Sequence, residues 1–176
     1  MVRLVYDCLR APYDIANILQ VVLASGDCEM HITGTSIRHD HPKVLGKIGS
    51  WSKEIREKGL PDLPIYYHNS LEDCAKELHS KGIRLIGTSP RATESLFDMD
   101  LSGDDFAIVF GTEVGGLSKE KIQLMDDLTQ IPMEGPLDFM TLSVITPIVV
   151  YEVLNQQKRK GIETELGHTG GHEEIK

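Results

Sequence analysis

Two loop segments of this chain combine glycines with side chains that could do chemistry. They span residues 111–118 and 132–143. The groups of interest are Gly111, Gly115, Gly116, Glu113, Thr141 and Ser143. Glycine allows close approach to the main chain, while hydroxyl and carboxylate groups bind the polar groups of a ligand. We therefore expect a ligand-binding site where these two segments meet.

Each of these segments follows a predicted strand. Residues 106–110 form a short, continuous apolar run, which is typical of a strand buried on both faces, and Gly111 ends it. Residues 128–131 predict a second strand, which Pro132 ends because proline has no N–H to donate to a strand ladder. Ligands of open parallel sheets bind outside the carboxyl ends of the strands, so both segments lie where a site is expected.

The rest of the chain alternates between predicted strands and helices. Further strands are predicted at residues 4–6, 29–33, 65–67 and 83–87, and helices at residues 14–25, 50–58 and 70–81. Asp14 is predicted to cap the first helix, and Ser118 to cap a short helix after the first glycine segment. This alternation predicts an α/β fold with a mostly parallel sheet flanked by helices.

The last predicted helix contains a proline, which limits where it can begin. Inside a helix, Pro147 would remove a backbone donor and clash with the preceding turn, at a cost of about 3 kcal/mol. Thr146 and Pro147 instead suit an N-cap and a first turn. The sequence therefore predicts a helix over residues 147–156 that begins near Thr146, or a longer helix that is kinked there.

The composition is typical of a soluble globular domain. Of the 176 residues, 40% are hydrophobic and 26% are charged. No apolar run approaches the roughly 18 residues of a membrane span, and the N-terminus shows no signal sequence, so we expect a cytoplasmic protein without a membrane partner. The cysteines Cys8, Cys28 and Cys74 lack CxxC spacing, so the sequence predicts neither a disulfide framework nor a metal site.

The charge is acidic and unevenly distributed. A net charge of −9 disfavours a broad nucleic-acid surface, because non-specific binding depends on Lys and Arg that displace counterions from phosphates. Residues 1–60 nevertheless carry eight Lys and Arg against seven Asp and Glu, so any RNA is expected to meet this third of the chain. Trp51 lies near basic residues there and would either stack on a base or pack against the protein.

Three ordered motifs resemble a known family. They are the run FGTEVGGLS at residues 110–118, Ile131-Pro132-Met133 followed by Gly135, and Thr141-Leu142-Ser143-Val144 with Tyr151-Glu152. In order and spacing they resemble the SpoU/TrmH branch of the SPOUT methyltransferases. That resemblance implies a SPOUT fold with a C-terminal trefoil knot, a bound S-adenosylmethionine and a homodimer. It also implies methylation of a ribose 2'-hydroxyl in tRNA or rRNA.

The resemblance also implies roles for individual residues. The cofactor-binding set that it implies is Thr88, Gly111, Glu113, Gly115, Gly116, Ile131, Met133 and Leu142. The catalytic set that it implies is Arg10, Glu113, Thr141 and Ser143. Adenine would be bound by main-chain groups at Ile131, Met133 and Leu142. Glu113 would either hold Arg10 across the site or cap a helix or turn.

The first motif of the family is degenerate in this chain. Arg10 matches it, but Asp14, Ala16 and Gln20 stand where the family has Asn, Gly and Arg. Glutamine is neutral and cannot pair with a phosphate as a guanidinium does. Three hypotheses therefore stay open. The chain is an RNA 2'-O-methyltransferase in which Arg10 or another basic residue supplies the cation, a SPOUT-fold protein that binds cofactor or RNA without methyl transfer, or a methyltransferase with another acceptor.

The sequence predicts one domain and a tail. Residues 1–157 are expected to form the methyltransferase domain, and the polar residues 158–176 a flexible tail. A homodimer is expected to form through the helices at residues 14–25 and 147–156, because their apolar positions exceed what one small sheet is expected to cover.

Overall fold

The computed structural model describes residues 1–159 and contains a six-stranded parallel sheet with helices on both faces. The strands are β1 (Val2–Asp7), β2 (Cys28–Thr33), β3 (Ile65–His68), β4 (Arg84–Thr88), β5 (Phe106–Phe110) and β6 (Asp127–Thr129). The helices are α1 (Pro12–Ser25), α2 (Pro42–Trp51), α3 (Lys53–Lys58), α4 (Leu71–Ser80), α5 (Lys119–Ile122) and α6 (Leu142–Arg159). The strand order is β3-β2-β1-β5-β4-β6, and all neighbours run parallel. The predicted α/β fold with a parallel sheet is confirmed.

The central strand β5 explains why residues 106–110 form a continuous apolar run. Every residue of β5 is buried. Phe106, Ile108 and Phe110 belong to the core that includes α1 and α6, whereas Ala107 and Val109 belong to the core that includes α4. A strand that is covered on both faces has no position for a polar side chain, so the alternation of a half-exposed strand is absent.

Helix α1 begins before the residue that was predicted to cap it. Its N-cap is Ala11 and its first residue is Pro12, whose fixed φ suits the first position of a helix. The prediction that Asp14 caps the helix is therefore wrong, because Asp14 lies inside the first turn. Gly26 ends α1 as predicted, in the left-handed conformation with φ of 74°, and its N–H donates to the carbonyl of Val22.

Helix α6 runs through Pro147, so the prediction of a helix that begins near Thr146 is wrong. The helix begins at Leu142. The buried Thr146 hydroxyl donates to the Leu142 carbonyl at 2.7 Å and lies 2.9 Å from the hydroxyl of Tyr6, which ties this turn to β1. Tertiary contacts of this kind outweigh the local cost of proline. The alternative expectation, a kink at Pro147, stays a prediction.

Two helices occupy the region for which one helix was predicted. Ser52 separates α2 from α3, because its backbone is extended and its hydroxyl accepts from the N–H of Ile55 at 3.2 Å. Helix α2 was missed in the sequence, although Val44 and Ile48 have helical spacing and both are buried.

Many apolar residues of α1 and α6 are buried within the chain. Those that are buried include Ile15, Ile18, Leu19 and Val22 of α1 and Val149, Val150 and Val153 of α6. Packing of α1 against α6 contributes to this burial, and the homodimer expected from these helices stays a prediction. Helix α6 continues past the predicted domain boundary to Arg159, and residues 160–176 of the predicted tail lie outside the described residues. Within residues 1–159, no helix has the length and hydropathy needed to cross a membrane.

A partly buried ion pair joins the end of β1 to α5. The Lys121 ammonium lies 2.5 Å from the carboxylate of Asp7, which is only 1% exposed and also accepts from the Thr33 hydroxyl at 3.3 Å. Burial opposes the charge on Lys121, but its hydrogen bond and attraction to Asp7 outweigh that effect and raise the pKa of Lys121 above its ordinary value. Because the folded-state pKa is raised, the stabilisation is present below the ordinary lysine pKa and is lost only as the pH rises through the raised value.

We expect Lys121→Met to lower the free energy of unfolding by on the order of 3 kcal/mol, because Asp7 would stay buried without a countercharge. Chemical denaturation at neutral pH measures this difference. The matched control is Lys119→Met, since Lys119 is an exposed residue of the same short helix. Similar losses in the two variants would show that the ion pair does not hold α5 in place.

Candidate functional site

The strands β4, β5 and β6 end side by side, as predicted for the site. Gly87 pairs with Val109, and Thr88 pairs with Thr129. The predicted cofactor residue Thr88 is half-buried there, and its hydroxyl donates to the carbonyl of Val109 at 3.1 Å. The loops that follow β4, β5 and β6 therefore begin close together, at the carboxyl ends of these strands.

The loop after β5 closes on itself. The main chains of Thr112 and Gly116 exchange two hydrogen bonds, at 3.1 and 3.0 Å, and the N–H of Gly115 donates to the Thr112 hydroxyl at 3.2 Å. A Cβ atom at Gly111 would lie 2.1 Å from the carbonyl carbon of Gly116 and 2.2 Å from the nitrogen of Leu117. Glycine is thus required at position 111 by the approach of the loop's own backbone. The expected role of this glycine is to leave space for a ligand, but the atoms that approach Gly111 belong to the loop itself.

Glu113 binds the segment that contains Arg10, but it does so through the main chain. Its carboxylate accepts hydrogen bonds from the N–H of Arg10 at 3.2 Å and of Ala11 at 2.8 Å. The Arg10 guanidinium is exposed and has no hydrogen-bond or ion-pair partner among residues 1–159. Glu113 therefore fixes the backbone from which Arg10 projects, and one of its two donors is the N–H of Ala11, the N-cap residue of α1.

Thr141 and Ser143 lie at the start of α6, where they contact a residue that the sequence had not assigned to the site. Their hydroxyls are 3.3 Å apart, and the Ser143 hydroxyl donates to the carboxylate of Asp14. This carboxylate therefore connects the first turn of α1 to the first turn of α6. The only sequence signal for it was its place in the first motif, where a family amide is replaced by a carboxylate.

Ile131 and Met133 lie in the segment between β6 and α6, past the end of the strand rather than within it. Both side chains are half-buried. Their main-chain N–H and C=O groups have no hydrogen-bond partner among the described residues. Leu142 is buried as the first residue of α6, and its carbonyl is occupied by Thr146. Unpaired main-chain groups beside partly apolar surface can bind a flat polar ring.

A surface cavity of about 480 Å³ lies next to this edge but does not include the predicted residues. Its lining includes Arg91, Glu94, Ile122, Met125 and Leu128. None of the residues that the sequence assigned to the cofactor or to catalysis lines it. Most of the predicted residues instead lie in the loop after β5, in the segment after β6 and at the start of α6. Thr88 ends β4, and Arg10 precedes α1.

Comparison with known proteins decides the family. The model of the SpoU rRNA methylase family matches residues 1–151. This chain belongs to that family. The match covers every strand, the glycine loop and the segment that leads into α6, so the resemblance expected from the motifs is confirmed.

Curated relatives of this SpoU-family chain are longer than it is. It is 31% identical over 155 residues to a 23S rRNA (guanosine-2'-O-)-methyltransferase of Shewanella oneidensis, covering 88% of this chain and 59% of that protein. It is 26% identical over 154 residues to an uncharacterised tRNA/rRNA methyltransferase of Synechocystis sp., covering 88% of this chain and 53% of that protein. The chain thus spans between half and six-tenths of the length of these relatives.

Solved structures confirm the SPOUT fold of this SpoU-family chain. A structure described as giving insights into the 2-OH methylation of C/U34 on tRNA has a TM-score of 0.75 and 24% identity, covering 90% of this chain and 97% of that chain. The SpoU methyltransferase AviRb of Streptomyces viridochromogenes, in complex with AdoMet, has a TM-score of 0.72 and 22% identity. That likeness covers 90% of this chain and 61% of AviRb.

We expect Gly111→Ala to lower the free energy of unfolding by on the order of 1–3 kcal/mol, because its methyl group would overlap the backbone of Gly116 and Leu117. The control is Gly46→Ala in α2, where a Cβ would meet no atom within 4 Å. That change should raise stability by up to about 1 kcal/mol through helix propensity. Equal effects at the two positions, measured by chemical denaturation, would contradict the tight closure of the loop.

Proposed function

We propose that this chain is an S-adenosylmethionine-dependent RNA methyltransferase that acts on a ribose 2'-hydroxyl of tRNA or rRNA. The observation that carries the proposal is that two family motifs follow the carboxyl ends of β5 and β6 and the third begins α6. Glu113 of the first motif and Ser143 of the third both bind residues at the start of α1. The curated relative in Shewanella oneidensis is itself described as a 2'-O-methyltransferase of 23S rRNA.

The residues at this edge fit S-adenosylmethionine. The unpaired main-chain groups of Ile131 and Met133 match the donors and acceptors on the edge of adenine, and their side chains supply apolar contact. The N–H of Leu142, in the first turn of α6, is a further donor without a helical partner. When bound, this cofactor supplies an electrophilic methyl group on a sulfonium. Gly115, Gly116 and Thr88 would shape the loop wall beside it.

The catalytic task left to the protein is to place the acceptor and to stabilise charge. We assign the cation to Arg10, because its guanidinium is unpaired within residues 1–159 and its backbone is fixed by Glu113. A guanidinium binds a phosphate with two parallel hydrogen bonds, which would orient the neighbouring ribose. The hydroxyls of Thr141 and Ser143 would orient the acceptor from the start of α6, with Asp14 fixing the rotamer of Ser143.

An exposed aromatic and basic surface lies beside this segment and suits RNA. The Lys47 ammonium lies 5.3 Å from the ring centroid of Tyr13 and 5.2 Å from that of Trp51. Tyr13 is 67% exposed and Trp51 is 40% exposed, so both rings are open to solvent. Exposed rings stack on unpaired bases while a cation attracts phosphate, so this surface supports the binding of single-stranded RNA at the N-terminal third.

The runner-up function is a SPOUT-fold protein that binds cofactor or RNA without methyl transfer. Gln20 favours it, because this exposed residue of α1 brings no charge to a position where the family has arginine. The hydrogen bond between Ser143 and Asp14 favours it as well, since it engages one of the predicted catalytic hydroxyls.

We expect Arg10→Ala to lower methyl transfer to unmodified RNA by on the order of a hundredfold, the effect of losing a charged hydrogen bond worth roughly 2–3 kcal/mol. The assay is the transfer of a tritium-labelled methyl group from S-adenosylmethionine, together with calorimetric titration of the cofactor. Cofactor affinity should not change, because Arg10 is assigned to the acceptor. The matched control is Lys76→Ala, an exposed residue of α4 on the other face of the sheet.

The variant Gln20→Arg separates the two functions. If the native chain binds S-adenosylmethionine but transfers no methyl group, and Gln20→Arg gains transfer, the runner-up is correct. If the native chain is active and Arg10→Ala stays fully active, the enzyme proposal holds but the cation is another residue. Failure to bind S-adenosylmethionine at all would contradict the fit at residues 131–142.

We further propose that the C-terminal segment is threaded as a trefoil knot and that the protein is a cytoplasmic homodimer. The knot is supported by the route of the chain: β6 lies at one edge of the sheet, whereas α6 packs on α1 and β1, so residues 130–141 must cross the ends of β4 and β5. The dimer is supported by an apolar stripe on α6 formed by Val144, Ile148 and Tyr151, of which Val144 is 48% and Tyr151 is 52% exposed.

We expect the native chain to be a dimer at micromolar concentration and Tyr151→Glu to shift it to a monomer, because a buried unpaired carboxylate is costly. Light scattering coupled to size-exclusion chromatography measures both masses. Phe97→Glu is the control, since Phe97 is exposed to a similar degree, at 50%, but lies outside the stripe. A monomeric native chain would refute the dimer.

A further inference from the structure

A cluster of histidine and cysteine side chains lies near the edge strand β3, on the side of the sheet away from β4 and β6. His31 of β2, His68 of β3 and Cys74 of α4 each contribute one ligand-type atom, and these atoms all lie within 4.8 Å of one another. His31 and Cys74 are buried, and the side chain of His68 is 8% exposed. The cluster lies on the face of the sheet that α4 covers, next to the edge strand β3.

The two histidine rings are oriented by carboxylates. Their facing nitrogens, Nδ1 of His31 and Nε2 of His68, lie 2.8 Å apart. The outer nitrogen of His31 lies 2.8 Å from the Glu29 carboxylate, and that of His68 lies 3.6 Å from the Glu77 carboxylate. Histidines that bind a metal typically give their remaining ring N–H to a carboxylate, which fixes the tautomer that points a lone pair at the ion. The His31 ring is arranged in that way, and Glu77 lies at ion-pair distance from the outer nitrogen of His68.

We propose that His31, His68 and Cys74 form a binding site for a divalent transition-metal ion, with Zn²⁺ the ion that fits best. Two imidazoles and a thiolate are ligands that zinc takes in proteins, at about 2.0–2.1 Å for nitrogen and about 2.3 Å for sulfur. Such bonds place the ligand atoms of a tetrahedron about 3.3–3.6 Å apart. The two imidazole nitrogens, 2.8 Å apart, are closer than that range, and all three ligand atoms lie within 4.8 Å of one another, so rotations that separate the two rings would form the site. A fourth position remains for water.

The site was not predicted from sequence because its ligands come from three separate elements. His31 and His68 are 37 positions apart, and neither lies next to a second ligand in the CxxC manner. Parallel pairing of His31 with Tyr66 brings β2 and β3 into register, so that His68 emerges beside His31 on the same face. Helix α4 then packs Cys74 over both rings.

A bound metal ion is expected to link α4 to strands β2 and β3. Strand β3 has four residues and, within residues 1–159, pairs only with β2, so few contacts hold it. An ion that binds the folded chain and not the unfolded chain stabilises the fold in proportion to the logarithm of its concentration. This proposal is independent of the proposed function, since no residue of the cofactor loops takes part.

The test is a titration of the metal-free full chain with Co²⁺, which substitutes for Zn²⁺ and reports sulfur ligation through a thiolate-to-cobalt absorption in the near ultraviolet. We expect the band to saturate at one ion per chain in the native protein and in Cys28→Ala, and to be absent in Cys74→Ala. Cys28 is the matched control because it is equally buried but belongs to the core on the opposite face. His168 and His172 cannot produce this band, because imidazole contributes no thiolate.

Thermal unfolding gives the second readout. Zn²⁺ should raise the Tm of the native chain and of Cys28→Ala but not that of Cys74→Ala. Glu77→Gln changes a partly exposed side chain and should fold, yet it should weaken Co²⁺ binding by about 10- to 100-fold because it alters the carboxylate behind His68. The absence of a thiolate band in the native chain, an equal band in Cys74→Ala, or unchanged affinity in Glu77→Gln would overturn the proposal.

Discussion

Two hydrogen bonds to one carboxylate connect the segments of the candidate functional site. Glu113 accepts from the main chain of Arg10 and Ala11, which lie more than 100 positions earlier in the chain. The glycine loop that carries Glu113 is itself closed so tightly that Gly111 has no room for a side chain. The position of the Arg10 segment therefore follows from the geometry of a loop at the end of a different strand. The Ser143 and Asp14 contact repeats this arrangement between α6 and α1.

The ion pair of Asp7 and Lys121 is a third contact between segments that are distant in sequence. It fixes the short helix that follows the glycine loop against the end of β1. Three contacts therefore connect the segments at the carboxyl ends of the strands. The Glu113 carboxylate binds main-chain N–H groups, the Ser143 hydroxyl binds the Asp14 carboxylate, and the Lys121 ammonium binds the Asp7 carboxylate. Each of these contacts connects segments that are distant in sequence, so the edge forms only when the whole sheet has formed.

The fold could be predicted from sequence wherever local pattern and tertiary environment agree. The apolar run of β5 and the glycine that ends α1 are cases in which one physical reason decides the structure. Pro147 is a case in which they disagree: a local cost that favours a helix start at Thr146 is outweighed by packing and by the hydrogen bonds of Thr146. The partners of Glu113 and Asp14 could not be read from local pattern, because both are set by contacts across the sheet. The His31, His68 and Cys74 cluster was missed for the same reason.

The strand order has a consequence for synthesis on the ribosome. Strand β1 pairs with β2 on one side and with β5 on the other, and Leu4 pairs with Ile108. The second edge of β1 therefore stays open until more than half of the chain has been made. An open apolar strand edge is a template for pairing with other chains, and contacts of large sequence separation form slowly. We therefore expect the first α/β unit of the nascent chain to be prone to aggregation until β5 emerges.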